Sequence, residues 1–213
     1  HNKYHKYSVW EHIVVSVSVA SRIKDVRLAM LLHDIAKPKC FTLDEKGQGH
    51  FYKHEQYSAE MAHNILRRLR FDNDTIKRVE TLIKNHYFVP ETDENNNPKE
   101  KQIVKLLSLT GEECFFQLLD VQRADNASKQ DFCMSRMAVL DKMEEKAKEI
   151  IAKGQCFSLK DLAVNGTDLI NLGLEGKQIG NALKILLQKV VDGEIENNKQ
   201  SLILHLIDNH FSN

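Results

Sequence analysis

The stretch Leu31-Leu32-His33-Asp34-Ile35-Ala36-Lys37-Pro38 sets an imidazole, a carboxylate and an amine within five residues at the end of an apolar run. Imidazole and carboxylate together form a donor set for a divalent metal, and a neighbouring amine is a counter-charge for an anion. Leu28, Leu31, Leu32 and Ile35 recur at helical spacing and predict a buried stripe, which Pro38 ends. Consecutive helical residues diverge by roughly 100°. His33 and Asp34 are therefore not expected to face the core together, but they can grip an ion from two sides near the helix end. A carboxylate beside leucines is costly unless a metal or a cation compensates it. The alternative is a core histidine at His33, with Asp34 paired to Lys37.

Other donors are spread at positions that helices would turn inward. Among ten histidines, His12 lies between Trp10 and Ile13, His54 opens the run to Ala62, and His86 closes Leu82-Ile83-Lys84-Asn85-His86. Asp125 lies in Arg123-Ala124-Asp125-Asn126-Ala127, with Asp120 as a reserve candidate. His50 precedes His54 in a loop and is read equally as a substrate contact, a further ligand or a solvent-facing side chain.

The order His12, His33-Asp34, Asp125 resembles the HD superfamily of metal-dependent phosphohydrolases, whose signature donors are carried on helices. The resemblance implies an all-α fold and a metal held by His12, His33, Asp34 and Asp125. It also implies a second ion near His54 and His86, and Lys37 as the cation facing the phosphate. The reaction it implies is hydrolysis of a phosphoester, with Asp34 and Lys37 as the residues closest to the chemistry. Mixed imidazole and carboxylate donors suit Mn, Fe, Ni, Co or Zn better than Mg, as one ion or two.

These donors require helices to position them. The chain of 213 residues is long enough for a substantial core, and its Lys+Arg and Asp+Glu totals balance at 30 each. That balance excludes nucleic-acid binding by bulk charge but leaves local basic patches open. Cys40, Cys114, Cys133 and Cys156 show no metal-ribbon or redox spacing, so reduced thiols are expected. No signal-type segment or membrane-length apolar run occurs, which predicts a soluble, cytoplasmic protein with no membrane partner. A start without Met predicts that the chain is a piece of a longer protein.

Val15-Ser16-Val17-Ser18-Val19 alternates like a strand, but the resemblance requires a helix around His12. A helix over 25–36 is expected with Asp25 as its cap, then a loop over 39–52 with a weak hairpin near Lys46-Gly47. Helices follow over 55–70, with Met61, Ile65, Leu66 and Leu69 inward, and from Asp72 or Asp74 to His86. Arg67, Arg68 and Arg70 complement a helix dipole or, with Lys77, Arg78 and Lys84, make a phosphate-binding face. A polar loop over 90–100 precedes helices over 99–109, 112–127 and 132–153, the last with a stripe of Met134, Met137, Leu140, Met143, Ala147 and Ile150. Gly154 marks the boundary between an HD-type helical bundle, 1–153, and a small C-terminal helical module, 154–213. In that module Ser158 and Asp161 form a capping box, Thr167 caps the next turn, and helices run over 177–192 and 199–210.

The C-terminal pattern, from Phe157 to Ile170 and on through Gly173, Gly176, Ile179-Gly180 and Val191-Asp192-Gly193, is similar to that of bacterial tRNA nucleotidyltransferases, the CCA-adding enzymes. Their HD-bearing members also carry His-Asp-Ile-x-Lys-Pro followed by His-Phe-Tyr-x-His, present here as His33 to Pro38 and His50 to His54. In the family's nucleotidyltransferase head, paired aspartates follow a Gly-Ser turn; this chain has no Gly-Ser dipeptide, so nucleotide addition is not expected of it. The substrates implied are 2′,3′-cyclic or terminal phosphates on nucleotides or tRNA ends. The rival expectations are a non-catalytic tRNA-binding module and a hydrolase of free nucleotides.

Overall fold

The computed structural model describes residues 8–129 and 136–210 and is almost entirely helical. The first eight helices among the described residues are α1 (Val9–Val19), α2 (Lys24–Leu32), the short α3 (Lys37–Cys40), α4 (His54–Arg68), α5 (Asn73–Asn85), α6 (Glu100–Thr110), α7 (Glu112–Ala127) and α8 (Arg136–Ala152). Strands β1 (Phe41–Leu43) and β2 (Gly49–Phe51) pair antiparallel, with Thr42 opposite His50, and form the expected hairpin. A single 3₁₀ turn over Leu159–Asp161 leads to α9 (Gly166–Asn171), α10 (Lys177–Val191) and α11 (Lys199–His210). No helix among the described residues is long and apolar enough to cross a membrane.

The Val15–Val19 alternation lies inside α1. Ser8 caps this helix, its backbone N–H and hydroxyl both donating to Glu11, and the inward face is His12, Ile13 and Ser16. Ser16 thus faces the core as a polar residue, which made a helical face read as a strand.

In α2 the buried apolar positions are Val26, Ala29, Met30 and Leu32, and of the expected stripe Leu32 is buried, Leu28 and Ile35 pack half-buried against the core, and Leu31 alone is 43% exposed. Ile23, not Asp25, is the N-cap, because the helix starts one residue early and rotates Asp25 inward to meet Arg78 of α5 at 2.5 Å. That ion pair also withdraws Arg78 from the basic face expected with Arg67, Arg68 and Lys77. The helix ends at Leu32, and Pro38 falls in the first turn of α3, where its missing N–H costs nothing.

In α4 the buried face is His54, Ser58, Ala59, Ala62 and Leu66, with Met61 and Ile65 half-buried; Leu69, expected inward, is the exposed C-cap. Of the two expected caps, Asp72 caps α5 by accepting from the Thr75 N–H, and Asp74 lies in its first turn. Ile76, Val79, Leu82 and Ile83 are buried as expected. In α8, Leu140, Met143, Ala147 and Ile150 are buried, whereas Met134 and Cys133 lie outside the described residues.

The first apolar cluster joins α2, α4, α5, α6, α7 and α8, with Phe115 its largest fully buried side chain. A second cluster gathers Leu162, Leu169, Leu186, Leu202 and Leu206, and Leu187 packs against both. In this second region Ser158 and Asp161 form the expected box, but Asn165 rather than Thr167 caps α9, accepting from Thr167 and Asp168 N–H groups. Gly154 closes α8 with a φ of 64°, letting the Gln155 N–H reach back to the Ile150 carbonyl.

Phe115→Ala, at a fully buried position, is expected to cost about 3–5 kcal/mol in urea unfolding. A loss below about 1 kcal/mol would show that the α5–α7 layer is not the core.

Candidate metal centre

The donors singled out in the sequence converge where five helices meet. His12 is in the first half of α1, His33 caps the C-terminus of α2, His54 begins α4, His86 caps α5, and Asp125 lies late in α7. His12, His33, Asp34, His86 and Asp125 are each at most 4% exposed, and His54 is 9% exposed. His33 and Asp34 are buried together, contrary to expectation, because the helix stops at Leu32 and the following turn brings Asp34 back inward.

Each imidazole is held by its Nδ1. That atom lies 2.7 Å from the Met30 carbonyl in His33, 2.8 Å from the Phe51 carbonyl in His54 and 2.7 Å from the Ile83 carbonyl in His86. A carbonyl only accepts, so Nδ1 carries the hydrogen in all three and Nε2 faces the cluster. For His33 and His86 the carbonyl belongs to the last helical turn, and the Ile83 carbonyl takes both the His86 ring N–H and, at 3.4 Å, the His86 backbone N–H. His12 Nδ1 donates to the Ser128 hydroxyl at 2.9 Å, because that hydroxyl gives its own hydrogen to the Asp125 carbonyl at 2.8 Å. Ser16 supports the same hydroxyl at 2.7 Å.

The Nε2 atoms and carboxylates crowd one another. His12 Nε2 is 3.3 Å from His33 Nε2 and 3.1 Å from Asp125 Oδ1. Asp34 Oδ2 is 3.3 Å from His33 Nε2 and 3.6 Å from His12 Nε2, and its Oδ1 is 3.4 Å from His54 Nε2. Ligand atoms of His12, His33 and Asp34 lie within 4.8 Å of one another, as do those of Asp34, His54 and His86. The two groups share Asp34. Neither Asp34 oxygen receives a well-formed hydrogen bond among the described residues, although Lys37 Nζ makes an ion pair with Oδ2 at 2.6 Å. Buried carboxylate oxygens with spare lone pairs, beside imidazoles pinned to present theirs, fit a divalent cation.

Charge is also balanced from within. Burial opposes a charge on His33, but Asp34 and Asp125 outweigh it and raise its pKa to about 10. Burial and the positive His33 push His86 down to about 4. Burial would raise both carboxylates; instead His33 and Lys37 hold Asp34, and Lys129 with His12 and His33 holds Asp125, well below the usual range. Lys129 bonds directly to Asp125 Oδ2. The residue was missed in the sequence, though its place one turn after Asp125 was a readable signal. Ser16 and Ser128 carried none.

Asp120 stands apart, half-buried, 3.9 Å from Arg123. His50 pairs with Asp44 at 2.9 Å on the hairpin. It lines a cavity of about 470 Å³ whose floor includes Asp34, Lys37, His54, His86 and Asp125.

A family model described as tRNA nucleotidyltransferase domain 2 matches residues 50–206. The chain is 27% identical over 198 residues to the CC-adding tRNA nucleotidyltransferase of Thermus thermophilus, covering 90% of this chain and 43% of that protein. It is 35% identical over 89 residues to the A-adding tRNA nucleotidyltransferase of Deinococcus radiodurans, covering 39% of this chain and 20% of that protein. The chain thus spans less than half the length of these relatives. No solved structure matches it.

Because the folded pKa of His33 is raised, its protonation adds stability that is full below about 6.5 and is lost as pH rises through about 10. In the presence of a chelator the melting temperature is expected to fall across that interval, and the fall should be smaller in His33→Asn. Identical profiles for the two proteins would contradict the assigned charge state.

Proposed function

The chain belongs to the tRNA nucleotidyltransferase domain 2 family, and on that premise we propose that its buried centre is an HD-type metal-dependent phosphohydrolase site. Its substrates are 2′,3′-cyclic or terminal phosphates of nucleotides or tRNA ends, within a longer enzyme that maintains tRNA 3′ ends. The observation that carries this reading is the Nδ1 anchoring of His12, His33, His54 and His86, which turns their Nε2 atoms toward Asp34 and Asp125. A core needing histidines only for packing has no use for that shared orientation.

In this reading residues 1–153 are the hydrolase domain and 154–213 a tRNA-docking module, a division supported by the separate apolar cluster around Leu186 and Leu202. His12, His33 and Asp34, with Asp125 beside His12, would hold one ion, and His54 and His86 with Asp34 would serve a second. A bound Mn, Fe, Ni, Co or Zn ion would lower the pKa of its water and polarise the phosphoryl oxygens. Lys37, buried on the cavity wall beside Asp34, supplies positive charge where the phosphate enters. Ser128 fixes His12, and the α2 and α5 carbonyls fix His33 and His86, so the rings need no turn to ligate, and His33 gives up its Nε2 proton when an ion enters.

A second reading, a non-catalytic tRNA-docking module, is favoured by the internal charge balance: Lys37 on Asp34, Lys129 on Asp125 and a proton on His33 satisfy the cluster without an ion. Metal content and hydrolysis of a 2′,3′-cyclic nucleotide, followed in wild type and Asp34→Ala, separate the two. Metal is expected to be lost and turnover to fall at least about 100-fold in the variant. Wild type that stays free of metal and inert after Mn, Ni or Fe addition sides with the docking module. Competition by tRNA distinguishes a tRNA-end hydrolase from one acting on free nucleotides, which tRNA should leave unaffected.

A further inference from the structure

The cavity mouth carries more aromatic surface than the donor cluster uses. Tyr52 and Tyr87 both line it and are 68% and 58% exposed. Large ring faces left in water at a cavity rim are surfaces on which unpaired bases stack. Tyr87 immediately follows His86, and its ring centroid is 6.1 Å from that of His54 and 6.2 Å from that of His86. A group resting on this ring therefore stands beside the donor cluster. Lys129 Nζ, paired with Asp125, lies 5.8 Å from the same centroid, so one side of the ring already faces a cation at the edge of the cluster. Across the hairpin, Tyr52 stacks on His50 at 5.1 Å and 11°, and His50 is held by Asp44. This wall is already arranged as a parallel stack.

We propose that Tyr87 is a platform for the nucleobase of an unpaired nucleotide, so that the site recognises base and phosphate together rather than phosphate alone. The proposal rests on reading the neighbouring cluster as a phosphoester site. Tyr87 reaches a base through its ring face, which every base can stack on, so recognition is tolerant of base identity. It also requires the base to be free of its own helix. The ligand class is accordingly a mononucleotide or the last nucleotide of a single strand, not a paired duplex end.

The test is equilibrium binding of AMP and of ribose 5-phosphate to the Mn-loaded chain, by calorimetry, in wild type, Tyr87→Ala and Tyr87→Phe. Wild type is expected to bind AMP roughly 5- to 100-fold more tightly than ribose 5-phosphate, the range of one base–aromatic stack. Tyr87→Ala should abolish that preference and Tyr87→Phe keep it, with ribose 5-phosphate affinity the same in all three. Since Tyr87 is more than half exposed, neither change is expected to disturb the fold. Equal wild-type affinity for the two ligands, no binding of either, or a preference intact in Tyr87→Ala overturns the proposal. Hydrolysis of 2′,3′-cyclic AMP in the same samples keeps the two readings apart. A base preference without turnover supports the platform and removes the hydrolase, and turnover without a base preference does the reverse. Displacement of AMP by a short single-stranded RNA assigns the platform to strand ends, and failure of that RNA to compete assigns it to free nucleotides.

Discussion

Two carboxylates taken out of water dictate the arrangement around them. Asp34 and Asp125 lie inside a helical bundle, 1% and 4% exposed, where an uncompensated negative charge is prohibitively costly. Everything adjacent answers that cost. His12, His33 and His54 approach them, Lys37 and Lys129 pair with them, and the cavity beside them admits a ligand. Removing one partner leaves a buried charge unmatched, so the cluster behaves as a unit and its members cannot be assessed singly.

Helix ends make the unit possible. His33 and His86 stand at the C-caps of α2 and α5, where the ring N–H of each reaches a carbonyl of the last helical turn. The apolar layer of α2 on α5 and α7 sets the separation of those ends, and its phase is carried by small residues, Ala29 and Ala124 among them. The bundle continues into the C-terminal region through Leu187, which packs on both clusters, and through Lys105 of α6, 2.5 Å from Asp192 at the end of α10.

The helical class and the hairpin were legible in the sequence, as was the set of His and Asp residues that the fold brings together, because His, Asp and breaker residues stand out by type. The inward face of α2 was legible only in part. Leu31, counted in the stripe, faces outward while Ala29 is fully buried, because small residues that permit close packing score poorly as hydrophobic signals. The joint burial of His33 and Asp34 depends on the helix stopping at Leu32, a boundary that no strong signal marks before Pro38. Ser16 and Ser128 meet across more than a hundred residues, and only the tertiary fold brings them together. Asn165 competed with Thr167 as a cap and won because its carbonyl oxygen reaches both free amides of the turn.

The central claim is that this cluster holds a metal through Nε2 atoms already turned inward. Anomalous diffraction from crystals of the protein soaked in zinc or manganese tests it most directly. The account predicts a peak about 2.0–2.2 Å from His33 Nε2 and from an Asp34 oxygen, with His33 Nδ1 still on the Met30 carbonyl. A cluster with no peak, and with Lys37 and Lys129 still on their carboxylates, would contradict it.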